Sequence, residues 1–384
     1  MRIAIDLSTV REDMSGPVVY CSGFLTALAK IDPNNEYLVF LAPEIEQLIR
    51  KDLPSNFKIH ITKLSNSVWL RVLWGQCLLP IYLKKWSADV LFAAFDISPL
   101  AGLCPVVLGV RNPLPIRIKK SINLKGRLHR IISYYSCKKA HSVFYPTLYA
   151  SNVLGNALKV PLAKRKVVPH GTDHKLWGKL QDTDIILKGY GIESSQYFLF
   201  ISNFYPYKNP DILIKAYALW HQKHPHLKYK LVVVGEAPKI YKRFKKQLID
   251  LVNDLKLIDL VIFTGYVPRF HLPILYHNSA SFILPTTVET FGQPFVEAMS
   301  SGAPVICADT EFSRELCGNA AMYCIPNNIQ SLSKAITVIV NNPSIADKMR
   351  QTGKKRSQMY SWEREASETL NLLLDAGSQS ISFD

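Results

Sequence analysis

Glu289 and Glu297 stand with seven residues between them, in the stretch LPTTVETFGQPFVEAMSSGAP (284–304). An apolar run over Ser281–Leu284 predicts a strand that ends at Pro285. A loop carrying Glu289 follows, and Pro294 is expected at the first helical position, where its missing N–H costs nothing. The helix is predicted to end near Ser300, before Gly302, with Glu297 in its first turn. Such a helix start offers the backbone amides of Phe291, Gly292 and their neighbours to an anion. Orphan donors and the helix dipole together suit a phosphate or a diphosphate. Gly292 permits close approach because it has no side chain. Two carboxylates beside an anion site cannot both serve the phosphate. Each can accept from a pair of adjacent hydroxyls, so the pattern fits a sugar and a ribose flanking a diphosphate. An acid in a first helical turn is also favoured by about 0.3–1 kcal/mol through the dipole alone, so the pair by itself is a weak signal. The whole string is a stronger one.

The elements that must hold this stretch repeat along the chain. Strands are predicted over Arg2–Leu7, Tyr37–Leu41, Lys58–Thr62, Asp89–Phe92, Pro105–Val110, Ser142–Tyr145 and Lys166–Val168. Helical patterns fall between them at Val18–Lys30 and near 68–86, 121–139 and 147–158, and a polar loop, Ser8–Gly16, follows the first strand. Residues 171–196 are polar and glycine-containing and read as a linker. A second series then runs through Tyr197–Ser202, Lys230–Gly235, Val261–Thr264, Ser281–Leu284 and Pro304–Cys307. Strands alternating with helices imply parallel sheets covered on both faces. The expected class is α/β, with two Rossmann-like doubly wound domains and a ligand site in the cleft between them. The expected boundaries are 1–170, a linker at 171–196, 197–360, and a closing segment at 361–384. Ser361 is the expected N-cap of that last helix.

Composition bounds the partners. The 384 residues hold 46 Lys and Arg against 30 Asp and Glu, a net charge of +16. Residues 1–170 carry 23 basic against 10 acidic side chains, and Ala101–His170 carries 13 basic and no acidic ones. That field attracts an anionic partner such as a phosphate, an acidic glycan, nucleic acid or an anionic lipid surface. The plain alternative is a solvated face that aids solubility. The segment Ser67–Trp86 mixes Trp69, Trp74, Tyr82 and Trp86 with Arg71, Lys84 and Lys85. It reads either as a core helix kinked at Pro80 or as an interfacial face for a membrane, with the basic Arg111–Lys139 segment beside it. Seven cysteines occur singly, with no C-x-x-C pair, which excludes a zinc ribbon or a disulfide framework and favours a reducing compartment. No signal peptide or spanning helix is expected. The chain has no G-x-x-x-x-G-K-[ST] and no G-x-S-x-G. Asp182–Thr183–Asp184 resembles a metal–diphosphate triplet but sits in the expected linker rather than at a strand end. The ten histidines show no metal spacing, and His170 reads as structural.

The E-x7-E stretch resembles the signature of the retaining glycosyltransferases of family 4, which have the two-domain GT-B fold. The resemblance extends along almost the whole chain. Ile201–Asn209 (ISNFYPYKN) is similar to the family's strand and loop with a phosphate-binding lysine, here Lys208. Leu231–Glu236 (LVVVGE), Phe263–Pro268 (FTGYVP), Val167–Asp173 (VVPHGTD) and Tyr360–Glu363 (YSWE) match further segments, the last beginning a helix that in the family returns to the first domain. Gly16 falls in the family's glycine-rich loop. Three places depart from the pattern, one of them where Ser15–Gly16 stands in place of the family's glycine pair. Asn203 stands where the family often has an arginine. Arg111–Asn112 stands where many members have a His–Asp pair, an Asn-containing version occurring in a related branch.

The resemblance implies a catalytic site of Glu289 and Lys208 and a donor site of Glu297, Thr290, Phe291, Gly292, Gly16 and Asn203. The base is expected near Tyr266 and Val267, and Arg111 and Asn112 on the acceptor side. Glu297 would bind the ribose diol, Glu289 the transferred sugar, and Lys208 with the loop amides the leaving diphosphate. It implies a nucleotide-sugar donor, no cofactor and no metal, retention of the anomeric configuration, and a glycan or polyprenol-linked saccharide acceptor, as in cell-surface polysaccharide or glycolipid assembly. The family's step is often described as a front-face displacement. The expected location is cytoplasmic or peripheral on the cytoplasmic face of a membrane, through an anionic surface, with no specific nucleic acid. The rival readings are another GT-B enzyme, such as a nucleotide-sugar epimerase or a phosphorylase, and a non-catalytic basic binding protein.

Overall fold

A computed structural model describes residues 1–11, 15–49, 53–62, 68–112 and 124–378. Residues 12–14 of the expected first loop, Ser67, and 113–123 of the basic segment lie outside it, and the side chains of Ser15 and Trp69 are not described. The chain divides into two compact units, Met1–Gly171 with Tyr360–Asp384, and Thr172–Met359.

The first unit is built on seven parallel strands, β1 (Arg2–Asp6), β2 (Glu36–Leu41), β3 (Phe57–Ile61), β4 (Val90–Ala93), β5 (Val106–Gly109), β6 (Ser142–Tyr145) and β7 (Arg165–Val167). Their order is β3-β2-β1-β4-β5-β6-β7. β4 and β6 are buried along their whole length, as expected of parallel strands with helices on both faces. The helix Trp362–Ser378 belongs to this unit. Its Trp362, Ala366, Leu373 and Ala376 join the core formed by Ile3, Phe24 and Phe92. A Cβ at Gly23 would run into the Trp362 ring and one at Gly171 into its backbone, so both glycines exist to let this helix approach. Ser361 caps it, accepting from the Arg364 amide at 3.2 Å.

The second unit has six parallel strands, β8 (Tyr197–Ile201), β9 (Lys230–Val234), β10 (Val261–Gly265), β11 (Ser281–Leu284), β12 (Val305–Ala308) and β13 (Ala321–Cys324), in the order β10-β9-β8-β11-β12-β13. The strand order reverses between β8 and β11. Loops leaving two such strands diverge to opposite faces of the sheet, which opens a crevice at their carboxyl ends.

The segment 171–196, read as a linker, contains the helices His174–Trp177 and Thr183–Gly189. Trp177 is buried against Tyr276, with its indole N–H donating to Thr172 Oγ1 at 2.8 Å. Pro80 is the second residue of the helix Leu79–Trp86. The five residues Trp74–Leu78 form a π turn ahead of it, with the Leu79 amide bonded to the Trp74 carbonyl, and a wider turn makes room for a ring that cannot donate. The helix after the Glu289 loop starts at Gln293, so Pro294 is its second residue and Glu297 lies in the second turn. β13 and the helices Ile329–Asn341 and Pro343–Ser357 extend the second unit past the strand series read from the sequence. Three of the four β13 residues are only partly buried, so this edge strand carries little apolar signal.

Candidate functional site

Lys208 ends a short turn, Pro206–Lys208, that follows β8. Glu289 sits in the loop that follows β11. The two side chains form an ion pair, with only 11% and 14% of their surface exposed. The backbone prepares this meeting. The Tyr207 carbonyl accepts from the Thr287 amide at 3.1 Å and from Thr286 Oγ1 at 3.2 Å. Asn209 Nδ2 donates to the Pro285 carbonyl at 2.8 Å and to Asn327 Oδ1 at 2.9 Å. Asn209 takes a φ of 56°, a conformation asparagine tolerates better than most residues, and Pro210 then opens the helix Pro210–Lys223. Loop and turn are thus stitched together at the reversal point of the sheet.

The helix Gln293–Ser301 begins beside this pair in sequence. Its N-cap is Gly292 at φ 91°, and no side chain caps it. A Cβ at Gly292 would strike the Phe295 ring, so glycine is required both by the backbone angle and by the space. Phe291 is buried, and Thr290 is partly so. Glu297, on the same helix, accepts a hydrogen bond from Tyr276 Oη at 3.2 Å. Burial raises the Glu297 carboxyl to about 7, against the opposing pull of the Arg269 cation and the Tyr276 hydroxyl. Arg269 in turn lies over the Trp177 ring, 5.7 Å from its centroid. Carboxylate, phenol, guanidinium and indole form one cluster in the second unit.

The structure pairs Lys208 with Glu289, and Thr290, Phe291 and Gly292 follow Glu289 in sequence. Asn203 is exposed on the loop after β8, where its carbonyl accepts from the Tyr205 amide. Tyr266 and Val267 follow β10, the edge strand. Tyr266 is largely exposed, whereas Val267 is buried. The other candidates lie in the first unit. Gly16 is exposed near the start of the helix Ser15–Ile31, and among the described residues a Cβ there would meet nothing within 4 Å. Arg111 is a buried cation, 3.6 Å above the Tyr20 ring centroid and 3.8 Å from the Glu365 carboxylate. Its amide and that of Asn112 both donate to Asp96 Oδ1, at 2.7 and 3.2 Å. Glu365 also meets His170 Nδ1 at 3.0 Å and accepts from the Gly171 amide at 2.8 Å. Burial foremost, and then Arg111, holds the His170 pKa below its ordinary value. Arg111 and His170 thus sit in the packing of the closing helix. Asp182 and Asp184 begin an exposed helix, and among the described residues no cluster of His, Cys, Asp or Glu could hold a metal ion.

Sequence reasoning missed Tyr276, Arg269 and Tyr207. They reach the site from three separate elements, so no spacing announces them. Asn209 carried a signal, because an Asn–Pro step marks a turn that opens a helix.

Comparison with known proteins places this architecture. Residues 182–356 match the family described as glycosyl transferases group 1. The O-antigen chain mannosyltransferase B of Escherichia coli is 29% identical over 187 residues, 48% of this chain and 48% of that protein. The O-antigen chain mannosyltransferase RfbU of Salmonella typhimurium is 31% identical over 169 residues, 44% of each. The chain thus spans about half the length of the curated relatives it matches. Anabaena HepE, solved in complex with UDP and glucose, superposes with a TM-score of 0.75 over 97% of this chain and 99% of its own, at 18% identity. The two parallel-sheet units are those of a GT-B fold. The stretch similar to the glycosyl transferases group 1 family, residues 182–356, falls within the second unit.

Proposed function

We propose that this protein is a retaining glycosyltransferase that moves a sugar from a nucleotide-sugar donor to a glycan or lipid-linked saccharide. The largely buried Lys208–Glu289 ion pair, at the reversal point of the second sheet and with Glu289 on the loop that leads into the helix Gln293–Ser301, carries the reading. When the glycosidic bond to the donor breaks, negative charge grows on the departing diphosphate. A fixed ammonium and helix-terminal amides are the groups that stabilise such charge, and they need no rearrangement to do so. They supply the positive potential that a metal ion supplies in other transferases, so the reaction is proposed to be metal-independent and to need no cofactor. Glu297 accepts from the ribose diol, and Tyr276 holds its carboxylate in place. Glu289, released from Lys208 as the diphosphate takes that cation, accepts from hydroxyls of the transferred sugar.

The O-antigen chain mannosyltransferases support a mannosyl donor and a saccharide acceptor. A polyprenol-linked saccharide as acceptor would place the enzyme at the inner face of a membrane.

The test is product formation from nucleotide sugars and a lipid-linked or free saccharide, with the product anomer read by NMR. The proposal expects the donor's configuration in the product, no loss with EDTA, and loss in Lys208→Ala. An inverted product overturns retention. Release of an epimerised nucleotide sugar without transfer overturns the transferase reading.

A further inference from the structure

The helical run Val68–Trp86 in the first unit has two apolar faces. One is in the core, where Trp74, Leu79 and Leu83 pack on Ala4, Phe40 and Leu91. The other faces outward and carries Leu70, Leu73, Leu78 and Ile81, with Ile81 61% exposed. The π turn at Trp74–Leu78 shifts the register midway along the run. The outward stripe ends at exposed Lys84 and Lys85.

A second helix, Leu124–Lys139, borders the same loop. Gln76 on the first helix donates to the Ser98 carbonyl at 3.0 Å and accepts from the Leu100 amide at 3.0 Å. Ser136 and Lys139 on the second helix donate to the carbonyls of Ser98 and Leu100. This helix too shows an outward stripe, with Ile131 and Tyr135 set between the exposed cations Arg127 and Lys138. Exposed aliphatic and aromatic side chains framed by Lys and Arg, with no Asp or Glu from Ala101 to His170, match one partner by both charge and polarity. Acyl chains take the apolar groups while anionic headgroups take the cations.

We infer that these two helices form a docking face for an anionic bilayer. The binding is interfacial rather than spanning, since no helix among the described residues is long and apolar enough to cross a membrane. The inference deepens the proposed function by giving a lipid-linked acceptor a surface at which to be met.

The experiment is co-sedimentation of the full chain with vesicles of phosphatidylcholine containing about one third phosphatidylglycerol, against pure phosphatidylcholine. Wild type is expected to bind the anionic vesicles, less so as salt rises. The double variant Leu78→Asp/Ile81→Asp should weaken partitioning at least about tenfold, and Lys84→Glu/Lys85→Glu should also weaken it. All four positions are outside the core, so thermal melting should match wild type in both variants. Equal binding by wild type and Leu78→Asp/Ile81→Asp overturns the inference, as does binding to both vesicles alike or to neither. A wild-type dimer that becomes monomeric in the Asp variant also overturns it, since the face would then join two copies of the chain. A failure of sugar transfer leaves this result untouched.

Discussion

Lys208 and Glu289, 81 residues apart, close an ion pair at the point where the second sheet reverses its strand order. The pair is fixed by backbone bonds on either side of it, through Tyr207 and Asn209. A cation and a carboxylate held this way neutralise each other until a more highly charged anion arrives. In the proposed function the diphosphate of a donor is that anion, and its arrival would free Glu289 for sugar hydroxyls.

Replacing either partner should therefore remove catalysis without removing the fold. Lys208→Ala and Glu289→Gln are each expected to lower kcat by about 10²–10³. Circular dichroism and gel filtration should remain those of wild type. Wild-type turnover in either variant would contradict the assignment.

Donor binding should depend on pH through Glu297. Burial holds this carboxyl at about 7 in the folded protein, above its ordinary value of 4.5. The acid is protonated below that pH and cannot accept from both ribose hydroxyls. Affinity is thus expected to rise as pH passes upward through about 7, by up to tenfold per unit below it. The stability effect has the opposite sense. Between 4.5 and 7 the folded state holds a proton that the unfolded state releases, so this group's contribution falls as pH rises through that window. Titration calorimetry from pH 6 to 8 reads the first effect, and Glu297→Gln should flatten it.

Gly16 separates a packing role from a ligand role. A methyl group there meets none of the described residues within 4 Å, and the position lies in the first turn of a helix, where alanine is favoured over glycine by up to about 1 kcal/mol. Gly16→Ala should leave the melting temperature equal or higher. If a phosphate must approach this backbone, the same change raises the KM for the donor. A stable variant with unchanged KM removes Gly16 from the donor site.

Glu365 anchors the closing helix. It is fully buried and faces Arg111, His170 and the Gly171 amide. Glu365→Ala removes the carboxylate from a buried pair and is expected to destabilise the first unit by about 3–5 kcal/mol, measured by urea unfolding. Stability should also fall as pH drops below 6.5, the ordinary value for histidine. There the unfolded chain takes up a proton on His170 that burial and Arg111 deny to the folded one. A loss under about 1 kcal/mol in Glu365→Ala would show that packing of Trp362 and its neighbours suffices.

The fold was legible wherever burial is two-sided. β4, β6 and β11 are short apolar runs buried throughout, and runs of that kind survive any reading. β13 escaped because an edge strand need not be apolar. In the candidate site, the strand–loop–helix passage that carries Glu289, Gly292 and Glu297 was legible. It was not legible at Tyr276 and Arg269, which reach Glu297 only through the packing of the helix Leu272–His277 and the turn before it. The placing of Glu297 in the first turn failed by one residue at the helix start. Gly292 can cap at positive φ, which moves the start to Gln293, ahead of the proline. The buried surroundings of Arg111 were also hidden, because a basic residue in a basic segment looks like surface until Tyr20 and Glu365 close over it.

The most direct measurement is thermal stability of wild type and Glu297→Ala against UDP-, GDP-, ADP-, CMP- and dTDP-sugars, with and without EDTA. A ligand at about 100 times its dissociation constant should stabilise the protein by about 2.7 kcal/mol. The account predicts a shift for one nucleotide class, unchanged by EDTA and lost in Glu297→Ala. A shift that EDTA abolishes, or no shift with any donor, would contradict a metal-independent nucleotide-sugar site at Lys208, Glu289 and Glu297.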